Sequence, residues 1–353
     1  MKLFKTTSIL AFVLVALAAC GEKEDTNKTT SKTETTTTET KTVTQETKAP
    51  ETSSDTAKSE GLETKFVTIA TGGASGPYNI IATTLADEYN KAYGVNSKTQ
   101  TTGASVENAN LVGGGKVEMA FLMSDILSDA VKGQNSFKQP VETIRQMAVL
   151  YPNFVQVVTS KDSGINTLAD IKGKRVSVGA PGSGTEANAR NLIEGFGMTY
   201  NDIKVDYLGY AESADALKTG KVDVAFLTSG LPNASLLELS RSFPMKLVSV
   251  PADKLKEIAD KAPYFSSKEI PAGTYGNDEP VTTAVIRNAI IVSSKISDDD
   301  VYKLTKTFIE KLPNLQNSHQ AIKAVDSKSA QEGMVAPIHP GAKKYYDELN
   351  AKQ

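Results

Sequence analysis

Two glycine-rich turns carry the residue types and spacing that could do chemistry. The first, TGGASGPYN, covers residues 71–79, and the second, GAPGSGTE, covers residues 179–186. Each follows a short apolar run typical of a buried strand and precedes a segment with helical periodicity. Glycine lets main-chain N–H groups point toward one position, and a helix N-terminus adds unpaired donors and a positive dipole end. Both turns therefore predict the capture of a small anion.

Nucleotide binding is a sharper interpretation of these turns, but the charged residues that it requires are missing. Gly179 and Gly184 have the spacing of a phosphate loop, yet Thr185 stands where that loop needs a lysine. The first turn also lacks a lysine and does not give the dinucleotide pattern G-x-G-x-x-G. Plain helix capping is the alternative for each turn, with Ser75, Ser183 and Thr185 as caps or as ligand donors.

Small polar residues follow two other apolar runs. Ser105 is predicted to be the N-cap of a helix, with Asn108 three residues further on. Ser124 and Asp125 follow the run FLM at residues 121–123. Strands of an open α/β sheet bind ligands beyond their carboxyl ends, so these side chains are expected at the same cleft as the turns. Ordinary capping is the alternative for both segments.

The composition excludes several kinds of active centre. The chain has two His, one Cys and no Trp, which excludes a Cys/His zinc cluster, a disulfide framework and a Cys–His nucleophilic pair. Ser183 does not lie in G-x-S-x-G, and we expect His339, in a loop before the last helix, to be structural. The net charge of −2 gives no indication of nucleic-acid binding. We therefore expect no catalytic residues, no metal and no cofactor; a surface hydrolase is the weaker alternative.

The N-terminal segment is typical of an exported lipoprotein. A positive segment at residues 1–5 precedes an apolar run at 9–17, and the run ends in LAACG, which resembles the lipobox of bacterial lipoproteins. The run is shorter than the ~20 residues that a membrane span needs. The resemblance implies a signal peptide over residues 1–19 and a lipid-modified Cys20, which would hold the protein at the extracytoplasmic face of a membrane. An ordinary signal peptide is the alternative.

Residues 20–63 are predicted to be a disordered tether. They are rich in Thr, Lys and Glu and contain almost no large apolar side chains. Such a segment cannot bury enough surface to offset the entropy of ordering it. A flexible coil of about 40 residues spans roughly 35 Å, so the folded part is expected to lie away from the lipid surface.

The elements that must position the turns begin at about residue 64. Short apolar runs alternate with amphipathic segments from there to the C-terminus, which predicts an α/β protein with parallel strands and helices on both faces. The pattern predicts, among others, separate strands over 145–150 and 154–159 and helices over 298–312 and 317–325. Residues 66–125 and 174–229 repeat one order of strand, glycine turn, helix, strand, short helix and strand. Two similar lobes with a ligand cleft between them are therefore expected.

The motifs together resemble a known family of receptors. Residues 65–346 resemble the TAXI family, the extracytoplasmic solute receptors of tripartite ATP-independent periplasmic (TRAP) transporters. The segments that carry the resemblance are TGGASGPYN, TGASVEN at 102–108, SD at 124–125, KGKRVSVGAPGSGTE at 172–186, and HPGA at 339–342 with the tyrosines at 345–346. Pro77, Tyr78 and Asn79 replace the Val-Tyr-Tyr that is commoner in the family.

The resemblance implies a fold and a function. The fold is a two-lobe, type II periplasmic-binding-protein-like fold with a hinge, in which lobe I is 64–158 plus 286–353 and lobe II is 159–285. The crossovers would lie near 153–160 and 285–292. The protein would close on a small organic anion, such as a glutamate-like amino acid or a carboxylate, and deliver it to a TRAP-type permease. The substrate-binding lipoprotein of an ABC importer is the alternative.

The expected ligand site follows from the two turns and the polar strand ends. Main-chain N–H groups of both turns would hold the charged end of the ligand, and Tyr78 would form an aromatic wall. Asp125 would meet an ammonium group if the ligand has one, while Arg190 and Arg287 are either counter-ions or partners in salt bridges. The residues expected to bind the ligand are Gly73, Ala74, Ser75, Tyr78, Ser105, Asn108, Ser124, Asp125, Pro181, Gly182, Ser183, Gly184 and Thr185.

Overall fold

The computed structural model of the protein describes residues 61–260 and 262–352. Strands and helices alternate through these ranges, which confirms the α/β class predicted from the apolar pattern. The predicted signal peptide, Cys20 and residues 20–60 of the predicted tether lie outside the described residues. None of the helices in the described ranges has both the length and the apolar character of a membrane span.

The strands of the described residues form one mixed sheet. They are β1 (Phe66–Ala70), β2 (Asn96–Gln100), β3 (Met119–Met123), β4 (Ile144–Ser160), β5 (Arg175–Ser177), β6 (Lys204–Asp206), β7 (Val224–Ser229), β8 (Met245–Val248), β9 (Ser266–Ile270) and β10 (Val281–Ser293). Their order across the sheet is β2-β1-β3-β10-β4-β7-β5-β6, with β8 paired to β4 and β9 paired to β10.

Helices connect these strands and close the chain. They are α1 (Pro77–Tyr93), α2 (Ser105–Gly113), α3 (Ser124–Lys132), α4 (Gly184–Gly195), α5 (Tyr210–Lys218), α6 (Ala234–Ser242), α7 (Ala252–Ala259), α8 (Asp298–Glu310), α9 (Leu312–Ser318) and α10 (Pro340–Asn350). The helix predicted over 317–325 is wrong in position, since α9 comes earlier and a 3-10 turn at Gln320–Ile322 follows it. Pro313 explains the shift, because proline is accepted in the first turn of a new helix but not inside a continuing one.

The repeat predicted from the sequence is confirmed in the strand pairing. In the first parallel group, β1 lies between β2 and β3 and is parallel to both. In the second parallel group, β5 lies between β6 and β7 in the same way. Each group therefore begins with a central strand whose carboxyl end leads through a glycine turn into a helix, α1 in the first group and α4 in the second.

Two long antiparallel strands join the groups. Strand β10 pairs with β3 of the first group, strand β4 pairs with β7 of the second, and the two long strands pair with each other. The prediction of two separate strands over 145–150 and 154–159 is wrong, because pairing continues through Pro152. The ladder shifts register between Arg287 and Ala289, close to this proline, which has no N–H to donate. The chain thus passes between the groups along β4 and β10.

One hydrophobic core contains side chains from both groups. It includes Leu122 and Ile126 from β3 and α3, and Val176 and Leu192 from β5 and α4. A second cluster packs α1, α8 and α10 on the other face of the first group, and a third packs α5 and α6 on the second group. Helices therefore cover both faces of the sheet, as the apolar pattern predicts, and the shared core brings the two glycine turns to the same region.

Candidate functional site

A cavity of about 480 Å³ lies between the two glycine turns. Its walls come from both parallel groups and from the long strand β4. We call it the inter-turn cavity. It is lined by Gly72, Gly73, Ala74, Ser75, Gly76, Pro77, Tyr78, Thr101, Thr102, Gly103, Ala104, Asn153, Ala180, Ser183, Thr185, Gly209, Tyr210, Ala211, Glu212 and Ser229.

Four helices begin at this cavity, since Gly76, Ala104, Ser183 and Gly209 are the N-caps of α1, α2, α4 and α5 and all line the cavity wall. The N–H groups in the first turn of α2 donate to the carbonyl of Gly182, which leaves α1, α4 and α5 as the three helix ends that can face a ligand. The first N–H groups of a helix have no partner within the helix, and its N-terminus carries a partial positive charge. The cavity therefore lies at three electropositive backbone ends that come from both parallel groups.

The first glycine turn keeps main-chain donors unpaired. Across residues 61–260 and 262–352, the N–H groups of Ala74 and Ser75 have no hydrogen-bond acceptor, whereas the N–H of Gly76 donates to the carbonyl of Gly73 at 3.0 Å. The structure thus brings Gly73, Ala74 and Ser75 together on the cavity wall, as the sequence analysis expects.

The second glycine turn contacts a helix rather than only the cavity. The carbonyl of Gly182 accepts the N–H groups of Val106 at 3.0 Å and Glu107 at 3.3 Å, both in the first turn of α2. A Cβ added at Gly184 would lie 2.8 Å from Met123 Sδ. Of the five residues expected from this turn, Ser183 and Thr185 line the cavity, while Pro181, Gly182 and Gly184 do not.

Ser105 and Asn108 lie in the packing beside the first turn. The prediction that Ser105 caps α2 is wrong: the N-cap is Ala104 and makes no side-chain cap, because Gly182 supplies the acceptor. Ser105 Oγ instead accepts the N–H of Met123 at 3.2 Å. Asn108 is fully buried, and its Nδ2 donates to the carbonyls of Thr71 at 2.5 Å and Phe121 at 2.7 Å. Neither Ser105 nor Asn108 lines the cavity.

Ser124 and Asp125 form the start of α3 and do not line the cavity either. Asn188 Nδ2 on α4 donates to Asp125 Oδ2 at 2.7 Å, while Asp125 Oδ1 has no hydrogen-bond partner in the described residues. Burial raises the pKa of Asp125 to about 6. Asp125 was expected to meet an ammonium group of the ligand. In this structure it instead links α3 to α4 through its hydrogen bond with Asn188.

Tyr78 connects the cavity to the two long strands. Its ring lines the cavity and packs against Phe121 and Tyr151 at centroid distances of 5.7 Å and 6.4 Å. Its hydroxyl donates to Asn288 Oδ1 on β10 at 2.5 Å, and Asn153 Nδ2 on β4 donates to the same oxygen at 2.9 Å. Burial raises the pKa of Tyr78 well above its usual value, so the hydroxyl stays protonated.

Family and fold comparisons agree with this architecture. Residues 69–349 match the NMT1-like family. The chain belongs to the NMT1-like family. Among solved structures, the periplasmic binding protein BugD is similar with a TM-score of 0.53 and 15% identity, over 81% of this chain and 97% of that chain. The two-lobe periplasmic-binding-protein fold expected from the sequence is thereby confirmed, and family and fold are those of extracytoplasmic solute-binding proteins.

Two further solved structures show weaker likeness. The periplasmic aliphatic sulphonate binding protein SsuA from Escherichia coli has a TM-score of 0.43 and 14% identity, over 80% of this chain and 83% of that chain. The substrate binding protein of an amino acid ABC transporter has a TM-score of 0.43 and 13% identity, over 73% of this chain and 97% of that chain.

The NMT1-like chain also places residues at the cavity that sequence reasoning missed. Tyr210 faces the first turn, since a Cβ added at Gly76 would lie 3.3 Å from its ring, and its hydroxyl donates to the carbonyl of Thr228 at 2.5 Å. Glu212 follows on the same helix and is the charged residue among the described residues that line the cavity. Gly209 could have indicated both residues in the sequence, since it follows a strand and precedes a helix, as the first and second glycine turns do.

The cationic and histidine side chains discussed from the sequence lie elsewhere. Arg190 pairs with Glu186 at 2.5 Å and stacks on Tyr200, and Arg287 Nη1 donates to the carbonyl of Glu332 at 2.7 Å. Of the two alternatives for these arginines, the structure favours salt bridges and surface contacts, since neither lines the cavity. His339 Nδ1 accepts the N–H of Gly341 at 3.2 Å and caps α10, the structural role expected of it.

Proposed function

We propose that the protein is an extracytoplasmic solute receptor that captures a small organic anion in the inter-turn cavity and delivers it to a membrane transporter. The observation that carries the proposal is the convergence of three helix N-termini and the unpaired N–H groups of Ala74 and Ser75 on one cavity of about 480 Å³. That volume is within the range of about 300–1,000 Å³ typical of small-molecule sites.

Backbone donors suit the carboxylate of such a solute. Their positions are fixed by the fold, so binding requires little reorganisation, and the dipoles of α1 and α4 favour negative charge. The lining residues of the described chain include no Lys, Arg or His, so the backbone is the source of positive potential. Ser75, Ser183 and Thr185 add hydroxyls at the same wall.

Capture rather than catalysis fits the chemistry of the lining residues. An acyl-transfer enzyme needs a hydroxyl held beside a base such as His or Lys. Ser183 Oγ accepts the N–H of Glu186 at 3.1 Å as a helix cap, and the lining serines have no His or Lys beside them among the described lining residues.

We further propose that the protein works by hinged closure. Lobe I would comprise 64–158 plus 286–353 and lobe II 159–285, with β4 and β10 as the connection. Support comes from the pairing, because these are the strands that pass between the parallel groups. Hinge closure between two such bodies is a common way to enclose a ligand. The bond between Asn188 and Asp125 and the contact of Gly182 with α2 would then form on closure.

The transporter has two candidates. An ABC-type importer, the first proposal, is supported by the family match over 69–349. A TRAP-type permease is the second, supported by the motifs at 71–79, 102–108 and 172–186 that resemble TAXI receptors. Reconstituting the protein with the permease encoded beside it separates the two. Uptake that requires ATP hydrolysis supports the importer, and uptake driven by an ion gradient without ATP supports the TRAP-type permease.

Membrane attachment through Cys20 is a separate proposal, supported by the LAACG sequence at residues 17–21. Two or more acyl chains would hold the protein firmly at the membrane, whereas a single chain binds reversibly. Cys20→Ser should release the protein from the membrane fraction of the producing cells. A variant that stays in that fraction would count against lipidation.

Blocking the cavity tests the capture of a solute. A Cβ added at Gly73 meets nothing within 4 Å, so Gly73→Trp should fit the fold and occupy the cavity wall. The probes are the twenty protein L-amino acids, succinate and glutarate, measured by thermal shift and then by calorimetry. We expect at least one probe to bind the native chain and none to bind Gly73→Trp.

The matched control is Gly61→Trp, since Gly61 also has open space around an added Cβ and does not line the cavity. It should bind the same probe with native affinity. Equal affinity of native and Gly73→Trp protein would contradict the proposed site.

A further inference from the structure

We propose that the inter-turn cavity selects a zwitterion of zero net charge, an amino acid with an uncharged side chain, and that Glu212 binds its ammonium group. This inference rests on the part of the proposed function that places the carboxylate of a solute in this cavity, and it replaces the net anion with an amino acid whose carboxylate is balanced by its ammonium group. It differs from the glutamate-like solute that the sequence resemblance implies.

The charges of the lining residues support a neutral solute. Glu212 contributes one negative charge at the cavity, and the described lining residues contribute no cation. A dicarboxylate would bring two negative charges to helix N-termini that already face a carboxylate. A zwitterion places its carboxylate at the N-termini of α1 and α4 and its ammonium at Glu212, so each charge meets the opposite sign.

The position of Glu212 fits this role. It lies in the first turn of α5, and a Cβ added at Gly209 would be 2.5 Å from Glu212 Oε2, so the carboxylate folds back over the start of its helix. Glu212 has no hydrogen-bond or ion-pair partner among the described residues. Its charge also offsets the dipole of α5, which leaves α1 and α4 as the termini that attract the ligand carboxylate.

Asn153 provides an independent observation. It lines the cavity with an exposed fraction of 2%, and its Oδ1 has no hydrogen-bond partner in the described residues. The orientation of its amide is fixed because Nδ2 donates to Asn288 Oδ1 at 2.9 Å, while Asn288 Nδ2 donates to the carbonyl of Tyr151 at 2.8 Å.

The free oxygen of Asn153 favours a ligand that can donate a hydrogen bond to it. A buried acceptor without a partner is costly, and a group that supplies the missing hydrogen bond is favoured over one that does not. An ionised dicarboxylate has no hydrogen to donate. An amino acid has its ammonium, and an amide or hydroxyl side chain adds further donors.

The other carboxyl proposed for an ammonium group, Asp125, does not meet these conditions. It is 1% exposed, does not line the cavity and accepts from Asn188 at 2.7 Å. Glu212 is therefore the carboxylate that the fold offers to a ligand in this cavity.

Two pairs of probes of nearly equal shape test the inference. L-glutamine and L-glutamate, and L-asparagine and L-aspartate, differ mainly in one negative charge, and glutarate is L-glutamate without its amine. Calorimetry on the native chain should find the strongest binder of the twenty amino acids among those with uncharged side chains. Within each pair the amide should bind at least tenfold more tightly than the acid.

Glu212→Gln tests the assigned residue because it keeps the shape and removes the charge. It should weaken binding of the preferred amino acid about tenfold, the effect of losing one charge-assisted hydrogen bond, and should not weaken binding of glutarate. Asp215→Asn is the matched control, since Asp215 is exposed on the same helix and does not line the inter-turn cavity. It should leave both affinities unchanged.

The remaining outcomes separate this inference from the proposed function. If glutarate, succinate or an acidic or basic amino acid binds most tightly, capture stands and the neutral-zwitterion inference is wrong. If the preferred amino acid binds Glu212→Gln as well as native protein, the role of Glu212 is wrong. If no probe binds the native chain, both proposals are wrong.

Discussion

The two glycine turns look alike in sequence and differ in what they do in the fold. The first, Gly72–Gly76, leaves the N–H groups of Ala74 and Ser75 without an acceptor at the cavity. The second, Gly179–Gly184, gives the carbonyl of Gly182 to the N-terminus of α2 and uses Ser183 Oγ to cap α4. One turn is therefore open to a ligand, while the other serves mainly as a contact between the two parallel groups.

The glycines themselves serve different purposes in the two turns. Gly179 and Gly182 have φ angles of +107° and +71°, in the left-handed region that favours glycine. Gly73 has no such φ and faces open space, and Gly76 allows the ring of Tyr210 to approach. In the second turn, the positive φ angles of the backbone require glycine. In the first turn, glycine is required at position 76 because the ring of Tyr210 lies against it.

The largest difference between the turns should appear when alanine replaces glycine. Gly179→Ala would combine a strained φ with a Cβ 2.8 Å from Thr185 Cβ, so we expect it to lower the free energy of unfolding by about 3 kcal/mol. Gly73→Ala should change it by no more than about 0.5 kcal/mol. Urea denaturation of both variants measures the comparison, and equal losses would contradict it.

Replacing Asn108 tests how much its hydrogen bonds stabilise the first glycine turn. Asn108→Leu removes the donors to the carbonyls of Thr71 and Phe121, which leaves two buried acceptors unpaired. We expect the free energy of unfolding to fall by about 2–3 kcal/mol, because each buried unpaired group costs about 1–3 kcal/mol. Ser75→Ala is the comparison, with an expected change below about 0.5 kcal/mol. A stable Asn108→Leu chain would show that the turn is held by other contacts.

The contact between α3 and α4 should make stability depend on pH. The pKa of Asp125 is about 6 in the folded chain against its ordinary 3.8, so the folded state holds the proton more tightly. Stability should therefore fall as pH rises from about 4 to about 6, by about 2–3 kcal/mol at 1.36 kcal/mol per pKa unit.

Asp125→Asn should remove this dependence, since its amide remains uncharged at every pH. Urea denaturation of the native and variant chains at pH 4, 5, 6 and 7 measures the effect. The free energy of unfolding of the native chain should fall between pH 4 and pH 6 relative to that of the variant. If it does not, the raised pKa of Asp125 at this contact is contradicted.

The smallest effect is expected at Tyr78. Tyr78→Phe keeps the ring on Phe121 and Tyr151 but removes the donor to Asn288 Oδ1, which still receives Asn153 Nδ2. We expect a loss of about 1 kcal/mol in the free energy of unfolding, the usual value of one hydrogen bond. Calorimetry should show the ligand affinity nearly unchanged. A loss of binding without a loss of stability would assign the hydroxyl to the ligand instead.

Much of the fold follows from local sequence. The ends of α1 are marked in the sequence by Pro77 in its first turn and by Gly94 after its last residue. The strand at 266–270 was missed, since its first four residues are exposed and show no apolar alternation. It is a strand because it pairs with β10, and that partner is distant in the chain.

The candidate site was predicted less completely than the fold. Six of the expected residues line the cavity, because ligands of open α/β sheets bind beyond the carboxyl ends of the strands. They are Gly73, Ala74, Ser75, Tyr78, Ser183 and Thr185. Asn153 and Glu212 were missed, because an Asn inside an apolar strand and an exposed Glu at a helix start are common in any α/β protein.

By itself the sequence determined the α/β class, the repeated strand–turn–helix unit and the position of each glycine turn, because these depend on neighbouring residues. Only the tertiary structure decided which turn opens to the cavity and which carboxylate stands beside it. Asp125 meets Asn188 63 positions along the chain, and Gly182 meets Val106 of the other parallel group. Such partners are brought together by packing, and the periodicity of neighbouring residues does not indicate which distant residues will meet.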